Sequence, residues 1–238
     1  MINSTKWLKN LKSNTLLKDR YVKIFAENFD GNSLFICRYL RPQRPPELVF
    51  DKQNNPNDEL SIEKAARFVA LIPFLDDCQA FMDDFTDYYC TDEQFLSLGF
   101  GDYEEHAILL CNYFNYIDKA QGKDVTSYLA LGRAYPEGLT TFVVRISNST
   151  PDIEIWNAKT GHCYYFDKRY RETKFLCFSV IKSFGNSKAN GSDELCELKE
   201  IGSLISESNI YVNIQEFVDP GLIAFDLNNQ EMWMPFLT

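Results

Sequence analysis

Three segments in the middle of the chain place apolar residues at the spacing of a helix. In residues 61–73 the apolar side chains recur about every 3.6 positions after Ser61, which we expect to cap the helix. Residues 91–99 open with a capping-box pattern and end at a glycine. Residues 102–117 open with a second capping box and are apolar around most of the circumference, which predicts a helix buried at the centre of the domain.

Beyond this segment the apolar pattern changes to the one typical of strands. Segments rich in β-branched and aromatic residues alternate with turn residues such as proline, glycine and asparagine. The predicted strands are residues 127–134, 139–146, 153–156, 162–166, 175–181, 209–217 and 222–227. Short connections favour antiparallel pairing, and helices followed by a mostly antiparallel sheet predict an α+β fold.

The first 60 residues are organised differently. Trp7, Leu8 and Leu11 lie at helical spacing among basic residues, which leaves open a helix on a membrane surface or partner and a surface helix packed on the body. Residues 41–59 are rich in proline and predict an extended connector. We therefore expect an N-terminal basic helix and connector over residues 1–60 and a folded domain over the remainder, residues 61–238.

The composition narrows the class of protein. The 238 residues include 24 Lys and Arg against 34 Asp and Glu, and a net charge of -10 argues against broad binding to nucleic acid or anionic lipid. Seven cysteines without a C-x-x-C pair argue against a disulfide framework or zinc ribbon and indicate a reducing intracellular compartment. Neither a signal-like apolar run nor a membrane span of about 20 residues is visible, so we expect a soluble, cytoplasmic protein.

The start of the buried helix is the place where the chain could carry chemistry. Such a helix followed by antiparallel strands resembles the transglutaminase-like and papain-like cysteine-peptidase fold, which implies a cysteine at the helix start, a histidine on a strand and an orienting Asp or Asn. The transglutaminase-like pattern G-D-C-E-D-x-A matches residues 101–107 and puts Tyr103 at the cysteine position. Thr140 falls on the histidine and Asn157 on the aspartate. A phenol and a hydroxyl provide no activated nucleophile near neutral pH, so the resemblance implies a degenerate triad and no catalytic residues.

The likeness is closer to one family. The matching stretches are residues 66–74, 90–95, 101–114, 134–138, 155–161 and 209–215. In this order they resemble the C-terminal, degenerate transglutaminase-like domain of the coiled-coil and C2-domain ciliary transition-zone proteins. The resemblance implies a non-enzymatic scaffold in cilium assembly at the ciliary base, transition zone and basal body. It also implies tectonic and Meckel-type complex members as partners, no cofactor or metal, and membrane contact that is indirect or through the N-terminal basic helix at most.

The alternative function is an active thiol peptidase or transglutaminase-like enzyme with an unrecognised Cys-His pair. Cys111 and His162 are the candidate dyad, but Cys111 lies two turns inside the helix, where burial disfavours the thiolate. The neighbouring Cys163 points to the face of its strand opposite His162. A zinc site from Cys163, His162 and His106 has no support in the spacing, so we expect structural histidines.

The remaining chemistry-bearing residues have simpler interpretations. The acidic pairs at residues 76–77, 83–84 and 104–105 invite a calcium or general-acid interpretation, but no EF-hand spacing accompanies them. We expect solvated carboxylates at all three pairs. Trp233 and Phe236, near the end of the chain, are candidates for anchoring a partner protein.

Overall fold

The computed structural model describes residues 4–81, 87–150, 152–167, 176–179 and 196–237. The helices in these ranges are α1 (Ser4–Ser13), a 3-10 helix (Ile36–Tyr39), α2 (Ser61–Ala70), α3 (Asp77–Phe81), α4 (Asp92–Leu98) and α5 (Tyr103–Gln121). The strands are β1 (Phe25–Glu27), β2 (Ser33–Phe35), β3 (Val125–Ala134), β4 (Gly138–Ser147), β5 (Asp152–Asn157), β6 (His162–Asp167), β7 (Leu176–Ser179), β8 (Leu198–Ile205), β9 (Ile210–Asn213) and β10 (Trp233–Pro235). Within the described ranges, no helix is both long and apolar enough to cross a bilayer.

A large antiparallel sheet dominates the architecture. Its strand order is β10-β9-β8-β3-β4-β5-β6-β7, and β1 and β2 form a separate hairpin. Helix α5 lies against β3 and β4. The predicted α+β fold, with a central buried helix against a mostly antiparallel sheet, is confirmed. The predicted strands from residue 127 to residue 166 agree with β3 to β6 within two residues at each end. The strand predicted at residues 209–217 corresponds to the shorter β9, and the one predicted at residues 175–181 contains β7, whose flanking residues lie outside the described ranges.

The sheet buries a different hydrophobic cluster on each face. The cluster on the α5 side includes Leu110, Phe114, Leu129, Val143 and Trp156. The cluster on the opposite side includes Phe142, Val144, Ile155, Tyr164 and Trp233. Because successive strand residues point to opposite faces, odd-numbered positions of β4 face α5 and even-numbered positions face away from it.

A buried ion pair joins α5 to the sheet. Arg145 on β4 donates from Nη2 to both carboxylate oxygens of Asp118 on α5, at 2.8 Å each, and from Nη1 to Glu154 on β5. Arg145 and Asp118 are both buried. An unpaired charge in this environment would be costly, so the pair couples the helix to two neighbouring strands.

Strand β8 is central in the sheet but is not predicted by the sequence pattern. Gly202 interrupts its apolar alternation, and a Cβ at this position would lie 2.5 Å from the backbone nitrogen of Tyr21. The neighbouring Ser203 hydroxyl donates to the Tyr21 carbonyl at 2.9 Å. The glycine that weakens the strand signal therefore allows the N-terminal segment to pass closely over the sheet.

Two details of the predicted elements are wrong. Residues 222–227 form turns and irregular backbone instead of a strand. Their backbone is bound by side chains, since Trp233 Nε1 donates to the Ala224 carbonyl at 2.7 Å. Ser61 is the first residue of α2 and not its cap, because its hydroxyl donates to the carbonyl of Asp58 at 2.5 Å.

The N-terminal helix packs on the body of the protein. The ring of Trp7 meets that of Phe236 edge-on, with centroids 5.1 Å apart. Leu11 is buried in a small cluster with Val212 of β9. The interpretation of α1 as a surface helix packed on the body is thus confirmed. The expectation that Trp233 and Phe236 anchor a partner protein is wrong, because both side chains are buried within this chain.

The predicted connector contains neither helix nor strand, but it contributes to the main core. Val49 and Phe50, within residues 41–59, are buried in the same cluster as α5. Ile36 and Leu40 join that cluster from the segment before it. The division of the chain at residue 60 stays a prediction, and the two predicted parts share one hydrophobic cluster.

Candidate functional site

The loop that leads into α5 is held by backbone hydrogen bonds. Leu75 N donates to the Gly101 carbonyl at 2.9 Å, and Gly101 N donates to the Pro73 carbonyl at 3.3 Å. A Cβ at Gly101 would lie 2.7 Å from the ring of Phe95 on α4. The glycine therefore lets this loop pass directly over α4 before the central helix begins.

The predicted capping box at the start of α5 is confirmed. Asp102 Oδ1 accepts from Glu104 N at 3.1 Å, and Glu105 Oε2 accepts from Asp102 N at 3.2 Å. These bonds satisfy backbone donors that have no partner inside the helix, and carboxylates are favourable at this end of the helix dipole. The first turn of α5 is therefore well defined.

Tyr103, the residue at the predicted cysteine position, is the first residue of α5. Lys159 Nζ donates to the Tyr103 hydroxyl at 3.2 Å. The Tyr103 ring packs edge-on against Phe74 with centroids 4.6 Å apart, and the Lys159 ammonium lies 3.8 Å from the Phe74 centroid. Burial raises the pKa of the Tyr103 phenol. The phenol is thus a neutral, packed group whose hydroxyl is bound to a lysine.

Asn157 lies at the end of β5 and orders the turn that carries Lys159. Its Oδ1 accepts from Lys159 N at 3.0 Å, and its Nδ2 donates to Glu197 Oε2 at 2.6 Å. The turn closes when Gly161, in the left-handed region with φ 71°, donates to the Asn157 carbonyl at 2.8 Å. Asn157 therefore reaches Tyr103 indirectly, by positioning the lysine that binds it.

Thr140 does not share a face with the start of α5. It is an even-numbered position of β4, on the side of Phe142 and Val144, and its buried hydroxyl has no hydrogen-bond partner among the described residues. The next residue, Thr141, faces the helix and donates to Glu104 Oε1 at 2.9 Å. The structure therefore links Tyr103 to the Asn157 turn and leaves Thr140 on the other side of the sheet.

The carboxylates at the helix start are buried, which corrects the expectation of solvated acids. Glu104, Glu105 and Asp77 are 7%, 4% and 9% exposed, whereas Asp83 and Asp84 lie outside the described residues. Burial raises the pKa of Glu105 to about 7 and that of Glu104 well above its ordinary value. Burial, assisted by the charge of Glu105, raises the pKa of Asp102 to about 9. The first turn of α5 thus holds carboxyl groups that resist ionisation.

These acids converge on two places that could hold a cation. One oxygen from each of Asp77, Asp102 and Glu105 lies within 4.8 Å of the others. A second group of the same size consists of Asp87, Asp102 and Glu104. Asp102 belongs to both groups. Asp87 has no signal in the sequence pattern, because its position beside α5 depends on the path of the chain and not on local spacing.

His106 is a structural residue, as predicted. Its Nδ1 lies 2.6 Å from the Asp102 carbonyl oxygen and its Nε2 lies 3.0 Å from the Ile72 carbonyl oxygen. The ring is buried edge-on against Phe95 with centroids 4.9 Å apart, and burial lowers its pKa. Both ring nitrogens therefore face backbone oxygens, and each tautomer can donate to one of them.

Four buried thiols are poorly suited to nucleophilic chemistry, namely those of Cys37, Cys90, Cys111 and Cys196. Cys111 is buried inside α5, and burial raises its pKa, as it does for Cys90. Burial also raises the pKa of Cys37 and Cys196 to about 12. Cys78 is exposed on α3, and the side chain of Cys177 lies outside the described residues. A raised pKa keeps a thiol protonated and unreactive at neutral pH.

A groove of about 350 Å³ lies beside the turn that carries Lys159. Its lining includes Arg67, Leu71, Lys159 and His162. The side chain of Leu71 is 67% exposed at the end of α2 and offers an apolar contact inside the groove. The groove adjoins Tyr103 through Lys159, a residue that the motif comparison with thiol enzymes did not reveal.

Comparison with known proteins gives two kinds of match. The family model described as CEP76 peptidase-like domain matches residues 87–236. Protein CC2D2B from Homo sapiens is 30% identical over 229 residues, which cover 96% of this chain and 13% of that protein. Centrosomal protein of 76 kDa from Mus musculus is 24% identical over 229 residues, covering 96% of this chain and 30% of that protein, and the Xenopus tropicalis protein gives the same values.

The chain therefore spans less than a third of the length of each of these relatives. The matches confirm the predicted resemblance to the coiled-coil and C2-domain proteins, and they add the centrosomal proteins to it. The family model covers α4, α5 and the large sheet, so Tyr103, Asn157 and Lys159 lie inside the matched region. Arg67, Leu71 and Phe74 precede it. This chain belongs to the family of the CEP76 peptidase-like domain.

Proposed function

We propose that this chain is a pseudoenzyme with a transglutaminase-like fold that acts as a non-enzymatic scaffold in assembly of the ciliary transition zone. The proposed partners are tectonic and other members of the Meckel-type complex, and the proposed location is the ciliary base and basal body. Membership of a family that includes proteins named as centrosomal supports a role in this region of the cell. The large antiparallel sheet behind a buried helix supports the fold assignment.

The observation that carries the proposal is the environment of Tyr103. A thiol enzyme of this type needs a thiolate at the first turn of the helix, stabilised by the helix dipole and a histidine. Here a neutral phenol occupies the first turn, bound by Lys159 and packed on Phe74. The strand residue that meets this end of the helix is Thr141, which cannot act as a base near neutral pH.

The groove beside Lys159 is the proposed interaction surface. It presents the exposed Leu71 next to Arg67 and Lys159, so it combines apolar contact with positive charge. An apolar anchor inside a polar rim is the usual arrangement of a protein interface. We expect it to bind a peptide segment of a partner that carries an apolar residue followed by acidic ones.

Proximity labelling in a ciliated cell tests the scaffold function. A tagged wild-type chain is expected at the ciliary base with transition-zone proteins among its labelled neighbours. Leu71→Glu should reduce that labelling at least several-fold, because it places a charge in the groove. Leu48→Glu is the matched control, since Leu48 is 89% exposed and is not among the residues that line the groove. Diffuse signal without transition-zone neighbours for the wild-type chain would refute the proposal.

A thiol probe tests the alternative of an active enzyme. At pH 6 an ordinary thiol is almost entirely protonated, so a cysteine-directed alkylating probe should modify the folded chain slowly at every cysteine. Intact mass and peptide mapping identify the modified residue, with Cys78→Ser as the control for the exposed thiol. Rapid, stoichiometric modification of one cysteine at pH 6 would favour the thiol enzyme over the scaffold.

A further inference from the structure

Five carboxylates from three segments of the chain meet at the start of α5. Asp77 comes from α3, Asp87 from the stretch before α4, and Asp102, Glu104 and Glu105 from the first turn of α5. Hydrogen bonds from Tyr88 N to Asp77 and from Thr141 to Glu104 satisfy some of the oxygens. The arrangement concentrates acidic side chains where Glu104 and Glu105 are almost completely buried.

Positive charge at this place is scarce. Among the ion pairs of the described residues, the one that touches these carboxylates joins Lys23 to Asp87. The same ammonium lies 4.3 Å from the ring centroid of Tyr89. One lysine against five acids leaves a large imbalance, and burying unpaired carboxylates is costly.

A fully buried oxygen points to a missing ligand. Glu105 Oε1 has no hydrogen-bond partner among the described residues, and Glu105 is 4% exposed. A buried polar atom without a partner often marks a bound water or ion.

We propose that the carboxylates around Asp102 bind a divalent cation of the Ca²⁺ type. Asp102 is shared by both groups of candidate ligands, one completed by Asp77 and Glu105 and the other by Asp87 and Glu104. The cation would neutralise the buried charge and provide a partner for Glu105 Oε1. The side chain of Asp87 is 44% exposed and gives the ion access from solvent. This site is independent of the scaffold function proposed above.

The donor set selects the class of cation. Every candidate ligand is an oxygen, and carboxylate oxygens suit Ca²⁺, Mg²⁺ and Mn²⁺ over thiophilic metals. Ca²⁺ takes about six to eight oxygen ligands in a flexible arrangement, whereas Mg²⁺ keeps several waters and is usually held by one or two carboxylates. Three carboxylates in each group therefore suit Ca²⁺ better.

Terbium luminescence tests the site in the full chain after treatment with a chelator. Tb³⁺ replaces Ca²⁺ at oxygen sites, and the phenol of Tyr89, whose ring lies beside the lysine that pairs with Asp87, should sensitise its emission. We expect saturable emission that Ca²⁺ displaces, in salt of about 0.15 M to screen exposed acids. Asp102→Asn keeps the N-cap oxygen but removes a shared ligand charge, and it should lower the affinity about tenfold or more.

Asp92→Asn is the matched control, because Asp92 is another buried carboxylate in the first turn of a helix and belongs to neither group of ligands. It should leave the affinity unchanged. If Asp102→Asn does not unfold cooperatively, Glu104→Gln is used instead, since its amide oxygen still accepts from Thr141. As a second readout, Ca²⁺ should raise the unfolding temperature of the wild-type chain and not that of the variant.

Absence of saturable emission, or equal affinity in wild type and Asp102→Asn, would overturn the site and indicate carboxyl groups that remain protonated. Displacement of Tb³⁺ by Mg²⁺ at lower concentrations than by Ca²⁺ would overturn the assignment of the ion. Displacement by Ca²⁺ with loss in the variant supports both.

Discussion

Helices α4 and α5 both begin with a capping box, but the first turns of the two helices lie in different surroundings. Each has a capping box, and each carries two acidic residues in its first turn. In α4 the cap Thr91 and the acid Glu93 are exposed, and Asp92 alone is buried, with Asn112 donating to it at 2.7 Å. In α5 the cap and both acids are buried among further carboxylates.

The difference shows which properties are local and which depend on the fold. Residues three apart in sequence are enough to form the reciprocal bonds of a capping box, so both helices start where the sequence predicts. The pKa of the acids depends instead on what the fold packs over them. Exposed first-turn acids stabilise a helix, whereas buried ones need protons or a cation.

The largest change in the free energy of unfolding is expected for a substitution at the start of α5. In chelator at pH 8, Asp102→Asn should raise the free energy of unfolding by on the order of 2 to 4 kcal/mol, because burial raises the pKa of Asp102 to about 9 and folding at this pH must protonate a carboxylate that is ionised in the unfolded chain. Asparagine retains the capping interaction, so the helix start is preserved. Urea unfolding followed by circular dichroism measures the change. A variant less stable than the wild type under these conditions would contradict the comparison.

Replacing Asp92 should change the free energy of unfolding by less, and the change should vary with pH over a lower pH range. Burial raises the pKa of Asp92 to about 7, so its folded pKa lies above the unfolded value. Its contribution to stability is therefore fully present below about pH 4 and is lost as the pH rises towards 7, by at most about 1.4 kcal/mol per pH unit. The difference in unfolding free energy between wild type and Asp92→Asn, measured at pH 5 and pH 7, should change by about 2 kcal/mol. A constant difference would show that Asp92 is ionised throughout.

The exposed cap of α4 should give the smallest effect. Thr91→Ala removes the side-chain oxygen that accepts from Gln94 N and should lower the free energy of unfolding by about 1 kcal/mol. The loss should be the same at pH 5 and pH 7, because no ionisable group is involved. Thr91→Ser is the control and should retain most of the stability. A loss that varies with pH would link this cap to Asp92.

Local patterns predicted much of this fold. The capping boxes located α4 and α5, the helical periodicity located α2, and the alternation of strands located β3 to β6. These signals depend on neighbours within a few residues. Strand β8 was not predicted, because Gly202 interrupts its apolar alternation. That glycine is required by the close contact with Tyr21, which comes from the opposite end of the chain. Such a contact leaves no local periodicity.

The candidate site was predicted only in part, for the same reason. The position of Tyr103 at the helix start follows from its capping box, but Lys159 reaches it from 56 residues away. A shift of one residue decides whether Thr140 or Thr141 faces the helix, and a motif alignment cannot fix that register. Burial of Glu104 and Glu105 likewise depends on α3 and the sheet, which sequence spacing alone does not bring together.

The bond between Arg145 and Asp118 has a consequence for how this domain can change in evolution. Helix α5 is tied to β4 twice, by Glu104 with Thr141 and by Asp118 with Arg145. Inserting or deleting one residue between Glu104 and Asp118 would rotate one of these contacts about the helix axis by about 100° relative to the other. The displaced contact would then break and leave a buried charge without a partner. Length variation among relatives should therefore be absent from this stretch and accumulate in the loops outside it.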